Sequence, residues 1–337
     1  MRNVLKSGVA ALMLALLGML GSAQLQAAGD YRLATASTGG TYYPVGVALS
    51  TLVKVKLQPE QNINMTAISS AGSAENIQLL HMNEVQFALL QGLYGAFAWH
   101  GSGPLEKGGP QTGLRSVTML WQNVEHFLVT SDHVKTGTIS DALAIRGVAG
   151  FGKKNSGSLG SSRTILANLG VDVDEQFDIV YGGYEVLTAA MQDDKADLVG
   201  TPAGIPVSTV TKLLATSGDA VRLLSFDARQ AARADGGLKL WTPYVIPAGT
   251  YPGQQTAINT IAQPNFLAVR ADVPEDDVYL ITKTIYDNLS FLKSTHKATE
   301  AMALKKALFG LPMPLHPGAA RYFREVGLEI PARMITE

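Results

Sequence analysis

Short β-rich runs alternate with amphipathic helical runs between residues 31 and 270, and this alternation limits the fold more than any other feature of the chain. It is typical of α/β folds, in which helices cover a sheet of largely parallel strands. The first three strands enclose two helices and predict a β-α-β-α-β unit over residues 31–91. A second unit is predicted from about residue 121 to residue 259. Strands are predicted at residues 31–36, 64–68, 87–90, 117–121, 127–130, 147–151, 178–180, 198–200, 221–225 and 267–270.

The length of the chain and its helix-rich end predict two lobes. A chain of 337 residues exceeds what one compact core usually holds. No strand is predicted after residue 270, so the tail is expected to return to the first unit. We therefore predict an α/β protein with a ligand cleft between lobe 1, residues 29–120 and 264–337, and lobe 2, residues 121–263. Helices are predicted at residues 45–57, 74–82, 161–169, 184–193, 206–214, 274–290 and 297–306.

Residues 1–28 have the pattern of a secretory signal peptide. Arg2 and Lys6 precede an apolar run over residues 9–20, and small residues follow it. The alternative is an uncleaved membrane anchor, but glycines and glutamines break the apolar run well below the ~20 residues that a membrane span needs. We expect export to a bacterial periplasm with cleavage of the signal. The sequence does not distinguish cleavage after Ala23, Ala27 or Ala28.

The composition narrows the classes of partner and site. The chain has no cysteine, which excludes a lipid anchor, disulfides and thiolate metal sites. The formal charge of −1 becomes −3 when Arg2 and Lys6 leave with the signal. There is no basic block or basic stripe, so nucleic acid is not expected as a partner.

A glycine turn follows the first predicted strand. Gly40, next to a second glycine, allows the backbone to approach a ligand closely, and Thr38, Thr41, Tyr42 and Tyr43 offer neutral hydrogen-bonding groups. The helix that follows presents free amides and the positive end of its dipole, which suit an anion. These residues predict a site for a small carboxylate. The alternative is that the two glycines only form the turn.

Three other segments are expected at the same cleft. The segment at residues 156–158 repeats, in the second unit, the order of strand, glycine turn and helix. Ser73 begins the second predicted helix. Residues 202–204 lie in a proline-rich loop that follows a buried strand. Each also has a structural interpretation, as a helix cap or a stiff turn. A glutamine at the end of the third strand is expected there too. The candidate ligand-binding residues in these places are Ser73, Gln91, Ser156, Gly157, Ser158, Pro202, Ala203 and Gly204.

The sequence contains none of the usual catalytic patterns. It has no G-x-S-x-G and no H-E-x-x-H, and its six histidines lack the spacing of metal ligands. Residues 147–154 resemble a phosphate-binding loop, but Lys154 occupies the position that requires Ser or Thr. We therefore predict no catalytic residue, no metal and no cofactor, and the chain is not expected to be an enzyme.

Four stretches give the chain its resemblance to a known family. They are TGGTYYP at 38–44, SSAGSAENI at 69–77, IPAGTYPG at 246–253 and PLHPGAARY at 314–322. In these stretches the chain resembles the TAXI family, the receptors of tripartite ATP-independent (TRAP) transporters. The resemblance implies a periplasmic binding protein type II fold, a monomer, and a ligand such as glutamate or a C4 or C5 dicarboxylate. It also implies delivery of that ligand to a TRAP permease that uses a sodium gradient.

The resemblance places the ligand at Gly40, Thr41, Tyr42 and Tyr43, supported by the other candidate residues named above. The chain departs from the family where Lys153 and Lys154 replace small residues, and a lysine in the cleft would favour an acidic ligand. Trp121 stands where a tyrosine is expected. The alternative function is a ligand-sensing subunit for a membrane signalling protein. The sequence leaves open the ligand and its affinity, the permease, the oligomeric state and which lysine reaches the cleft.

Overall fold

The computed structural model describes residues 29–335, so the predicted signal peptide lies outside the described residues. Two β-sheets with flanking helices form two lobes. The strands are β1 (Gly29–Ala34), β2 (Ile63–Ile68), β3 (Phe87–Gln91), β4 (Leu114–Val124), β5 (Phe127–Thr130), β6 (Val148–Gly152), β7 (Asp178–Tyr181), β8 (Leu198–Gly200), β9 (Val221–Leu223), β10 (Thr242–Ile246) and β11 (Ile258–Arg270).

Twelve α-helices lie in the described part of the chain, between and after these strands. They are α1 (Tyr42–Gln61), α2 (Ser73–His81), α3 (Gly92–His100), α4 (Ile139–Ala144), α5 (Gly157–Leu169), α6 (Val173–Gln176), α7 (Tyr184–Gln192), α8 (Ser208–Ser217), α9 (Ala228–Asp235), α10 (Glu275–Asp287), α11 (Leu289–Thr295) and α12 (Pro317–Glu325). Within residues 29–335, no helix combines the length and the apolar character that crossing a membrane requires.

The first sheet contains the predicted β-α-β-α-β unit. Strand β1 pairs in parallel with β2 and β3. The late strand β11 pairs antiparallel with β3, with β4 and with β10. The late strand β11 therefore lies in the same sheet as the strands of the first unit.

The second sheet has the strand order β7-β6-β8-β5-β9. Its centre is parallel, because β6 pairs with β7 and β8 in the same direction. Strand β5 pairs antiparallel with β8 and β9. Two sheets of α/β type confirm the predicted fold class.

Two long antiparallel strands, β4 and β11, connect the lobes. They pair along most of their length, from Ala262 opposite Val124 to Arg270 opposite Leu114. Both Val124 and Ala262 belong to the apolar core of the second lobe, while the other end of β11 pairs with β3 of the first. The predicted lobe boundaries, after residues 120 and 263, fall within these two strands and stay predictions.

Several predicted elements need correction. Helix α1 begins at Tyr42 and not at residue 45, and the helix predicted over 274–290 ends at Asp287. Residues 297–306 form two short 3₁₀ segments instead of an α-helix. The sequence analysis missed the strand β10 and the helices α3, α4, α6, α9, α11 and α12.

Candidate functional site

A cavity lies between the two lobes, at the carboxyl ends of β1, β3 and β6. This is where open α/β sheets commonly bind ligands. The structure brings most of the predicted site residues together here, although their role in binding stays a prediction. Ten of the thirteen line the cavity: Gly40, Thr41, Tyr42, Ser73, Gln91, Ser156, Gly157, Ser158, Pro202 and Ala203.

Three predicted site residues lie outside the lining. Thr38 is exposed, and its hydroxyl donates to the carboxylate of Glu185 at 3.3 Å. Tyr43 is half-buried in the first turn of α1. Gly204 is buried behind the lining, where it contacts Thr41.

Four helices begin at the cavity wall. The residues that precede their first turns are Thr41 for α1, Gly72 for α2, Ser156 for α5 and Gly183 for α7, and all four line the cavity. The first-turn amides of a helix have no acceptor within that helix, and its N-terminus carries about half a positive charge. The four helix ends therefore make the cavity favourable for an anion.

Asn76 fixes the wall that the first lobe contributes. Its side-chain amide donates to the carbonyl of Thr35, 2.8 Å away, and to the carbonyl of Leu89, 2.9 Å away. Its oxygen accepts from the hydroxyl of Ser70 at 2.6 Å. Because Asn76 is fully buried, it ties the ends of β1 and β3 to the loop before α2.

The lobes contact each other directly beside the cavity. The Thr41 hydroxyl donates to the carbonyl of Gly204 and accepts from its amide, both at 3.1 Å. The amide of Glu75 donates to the carbonyl of Asn155, 3.1 Å away. The structure is thus a closed arrangement, in which the Thr41 hydroxyl serves the contact between lobes.

Two buried amide side chains in the lining lack hydrogen-bond partners among the described residues. They are Gln91, at its Oε1 atom, and Asn123, at its Nδ2 atom, and the two residues are 3% and 1% exposed. A buried polar group without a partner costs about 1–3 kcal/mol. A ligand with its own donors and acceptors would remove this cost.

Gly157 brings the second lobe against Gln91. A Cβ atom placed on Gly157 would lie 2.6 Å from Gln91 Oε1 and 2.8 Å from Ser73 Oγ. These distances are shorter than van der Waals contacts, so a larger residue at this position requires Gln91 and Ser73 to move from the positions they have in this arrangement.

The charge of the lining is positive. Lys153 is the one charged side chain among the described lining residues. The Lys154 ammonium lies instead over the ring of Tyr181, 5.0 Å from its centre. Of the two lysines, Lys153 is therefore the one among the lining residues, and its role in binding stays a prediction.

Two tyrosines supply neutral hydroxyl groups to the lining. Burial raises the pKa of Tyr42 and of Tyr184 far above the ordinary value. The Tyr42 hydroxyl donates to Asn265 Oδ1 at 2.5 Å, and the Tyr184 hydroxyl donates to the carbonyl of Pro202 at 2.6 Å. Ser158 hydrogen-bonds to the Tyr184 hydroxyl at 2.7 Å. Both tyrosines are therefore fixed and uncharged at neutral pH.

The sequence analysis did not include Asn123 and Tyr184 among the site residues. Asn123 lies inside β4, and Tyr184 begins α7 after two glycines. The glycine pair at 182–183 before a helix repeats the pattern of the first turn and could have indicated Tyr184. Trp121 is fully buried with its ring edge-to-face against Tyr42, 5.8 Å between centres, and it does not line the cavity.

No group of three or more histidine, aspartate or glutamate side chains within residues 29–335 is placed to bind a metal ion.

Comparison with known proteins supports the fold. A family model described as the NMT1-like family matches residues 33–327. The structure of the periplasmic binding protein BugD aligns at a TM-score of 0.51 and 12% identity, covering 88% of this chain and 94% of that chain. A structure from Bordetella bronchiseptica RB50 aligns at a TM-score of 0.52 and 11% identity, covering 90% and 85%. At these identities the likeness shows the fold alone, which is that of a periplasmic binding protein.

Proposed function

Since this chain belongs to the NMT1-like family, we propose that it is a periplasmic solute-binding protein of an import system and that its ligand is a small carboxylate. The observation that carries this proposal is the cavity between the lobes, where four helix N-termini and Lys153 meet. Helix N-termini and a lysine bind small anions, and a carboxylate is one of the anions that such donors suit.

The distribution of the helix ends supports a ligand with two acidic groups. Helices α1 and α2 face the cavity from the first lobe, and α5 and α7 face it from the second. Each wall therefore offers donors to one carboxylate. Glutamate and C4 or C5 dicarboxylates have this shape. Delivery to a TRAP permease is the finer part of the proposal, and it rests on the resemblance of the four sequence stretches to TAXI receptors.

Closure of the lobes is the proposed mechanism of capture. The strands β4 and β11 connect the lobes, so a small bend in both would open the cavity. A ligand that bonds to both lobes stabilises the closed form relative to the open one. The membrane partner would then recognise the closed form, in which the Thr41 hydroxyl bonds to Gly204.

A thermal-shift screen of refolded protein tests the ligand class. The panel contains amino acids, C4 and C5 dicarboxylates, alkanesulfonates, sugars and nucleotides. A ligand at about 100 times its Kd adds roughly 2.7 kcal/mol to the free energy of unfolding, which raises the melting temperature measurably. We expect a shift with glutamate or a dicarboxylate. A shift with sulfonates, sugars or nucleotides alone would overturn the proposed class, and no shift with any carboxylate would overturn it as well.

Replacing Lys153 with glutamine tests the charge of the site. We expect K153Q to weaken binding of a dicarboxylate about tenfold, because a partly buried cation contributes about 1–2 kcal/mol to an anion. Isothermal titration at two salt concentrations measures this change, and the salt dependence should decrease in the variant. The matched control is K154Q, because the ammonium of Lys154 lies over the ring of Tyr181. Removing an exposed charge of this kind should change Kd by less than about twofold. Equal effects of both substitutions would contradict the assignment of Lys153.

A further inference from the structure

A buried carboxyl group lies behind the cavity, at the point where the chain passes from β4 of the first lobe to β5 of the second. Glu125 is 1% exposed. Its Oε1 atom accepts from the hydroxyl of Ser161 at 2.6 Å and from the indole nitrogen of Trp241 at 3.0 Å. Its backbone amide and carbonyl bond to β11. Glu125 is therefore fixed to both connecting strands.

The hydrogen-bond network continues from Glu125 to the two walls of the cavity. The side-chain amide of Gln263 donates to Ser161 Oγ at 3.0 Å, and Gln263 Oε1 accepts from the amide of Leu93 at 2.8 Å. Ser161 lies one helical turn after Gly157, and both are in α5. Leu93 is the second residue of α3, and Gln91 directly precedes that helix. The network thus joins α5, which begins at Gly157, to α3, which begins directly after Gln91, and Gln91 is the residue that Gly157 contacts in the cavity lining.

The charge of Glu125 has no cationic partner among the described residues. The ion pairs of residues 29–335 do not include it, and its Oε2 atom has no hydrogen-bond partner. The groups that contact the carboxyl group from α5, β11 and the segment before β10 are Ser161, Gln263 and Trp241, and none of them titrates.

Two titratable groups lie nearby, and both are neutral at physiological pH. Burial lowers the pKa of His126 to about 4, and its ring bonds to the carbonyl of Val124 and the hydroxyl of Tyr251. Tyr184, which lines the cavity, feels the charge of Glu125, and burial raises its pKa. An ionised Glu125 therefore repels a second negative charge in the cavity without compensation from these neighbours.

Burial raises the pKa of Glu125 to about 7. The hydrogen bonds with Ser161, Trp241 and Gln263 lower this pKa, but their effect is smaller than that of burial. The carboxyl group is thus partly protonated near neutral pH. A small change of charge in the cavity is then sufficient to alter its protonation.

We propose that Glu125 is a positioning residue that holds α3 and α5 together and that takes up a proton from solvent when an anionic ligand enters the cavity. This inference rests on the proposed function for the sign of the ligand charge. Binding of the anion forms one O–H bond on Glu125, and opening of the lobes releases the proton. Because the coupling is reciprocal, a lower pH strengthens binding by the factor by which the ligand favours protonation.

Isothermal titration in two buffers with different ionisation enthalpies counts the protons, with L-glutamate and 2-oxoglutarate as probes. If protonation of Glu125 strengthens ligand binding about tenfold, ligand binding raises the pKa of Glu125 by about one unit. We therefore expect uptake of about half a proton per ligand at pH 7.5. Kd should rise about tenfold between pH 6 and pH 9. Both effects should disappear in E125Q, which keeps the acceptor for Ser161 and Trp241. Equal proton uptake in the protein and in E125Q would overturn the inference while leaving the proposed function intact.

A second measurement tests Glu125 without a ligand, so failure of the probes to bind is distinguishable from failure of this inference. A carboxyl group whose pKa is raised on folding contributes stability at acid pH that is lost as pH rises through about 7. The melting temperature of the protein should therefore fall relative to that of E125Q between pH 5 and pH 8. The exposed control E84Q should follow the unsubstituted protein. Parallel curves for the protein and E125Q would overturn the inference.

Discussion

Replacing Gly157 with valine is expected to weaken ligand binding by about 100-fold or more, because it prevents the closed arrangement of the lobes. A Cβ atom at this position would lie 2.6 Å from Gln91 Oε1 and 2.8 Å from Ser73 Oγ. Both of those residues belong to the opposite lobe and line the cavity, so a larger side chain here would push them into the space that the proposed ligand occupies. The open form does not bring these atoms together. The free energy of unfolding of the ligand-free protein should therefore change by only about 1 kcal/mol.

Isothermal titration with the ligand found in the thermal-shift screen measures the loss of affinity, and urea unfolding measures the stability. The matched control is G113V, since a Cβ on Gly113 meets no atom within 4 Å. It should bind with unchanged Kd. If G157V binds as tightly as the unsubstituted protein, the ligand does not require the closed arrangement described here.

Replacing Asn76 with leucine is expected to lower the free energy of unfolding by roughly 3 kcal/mol. The substitution removes three hydrogen bonds, two donated to the carbonyls of Thr35 and Leu89 and one accepted from Ser70. Those groups remain buried at the ends of β1 and β3, where water does not replace the lost partner. Because the same bonds shape the cavity wall, ligand binding should weaken too.

Urea unfolding followed by circular dichroism measures the change for N76L. The control is Q78L, which places leucine on the exposed face of the same helix and should change stability by about 0.5 kcal/mol or less. A loss of less than about 1 kcal/mol for N76L would show that Asn76 does not hold the wall together.

Local patterns in the sequence predicted the parts of the site that are built from consecutive residues. Gly40, Thr41 and Tyr42 lie in one glycine turn, and Ser156 and Gly157 lie in another. In both, the glycine, hydroxyl and helix order is visible within a few residues. The structure places all five in the cavity lining.

The parts that depend on distant contacts could not be predicted in this way. Asn123 belongs to β4, a strand whose near-continuous burial hides which side chain faces the cavity, and Glu125 directly follows that strand. Helix α3 contains two glycines that lower helix propensity, and Gly95 is required because a Cβ there would lie 2.5 Å from Pro312. Strand β10 is short, mostly exposed and contains Pro243, so it lacks the alternation of a half-buried strand.

The distance between the lobes, measured with and without ligand, tests the central claim most directly. The chain has no cysteine, so the substitutions K54C in α1 and K212C in α8 give two unique sites for spin labels, both exposed and one in each lobe. Pulsed electron paramagnetic resonance then reports the distribution of distances. Saturating glutamate or dicarboxylate should collapse a broad distribution onto the single distance of the closed arrangement, and T41V, which removes both bonds to Gly204, should reduce that closed population. A distribution that saturating ligand leaves unchanged would contradict the account.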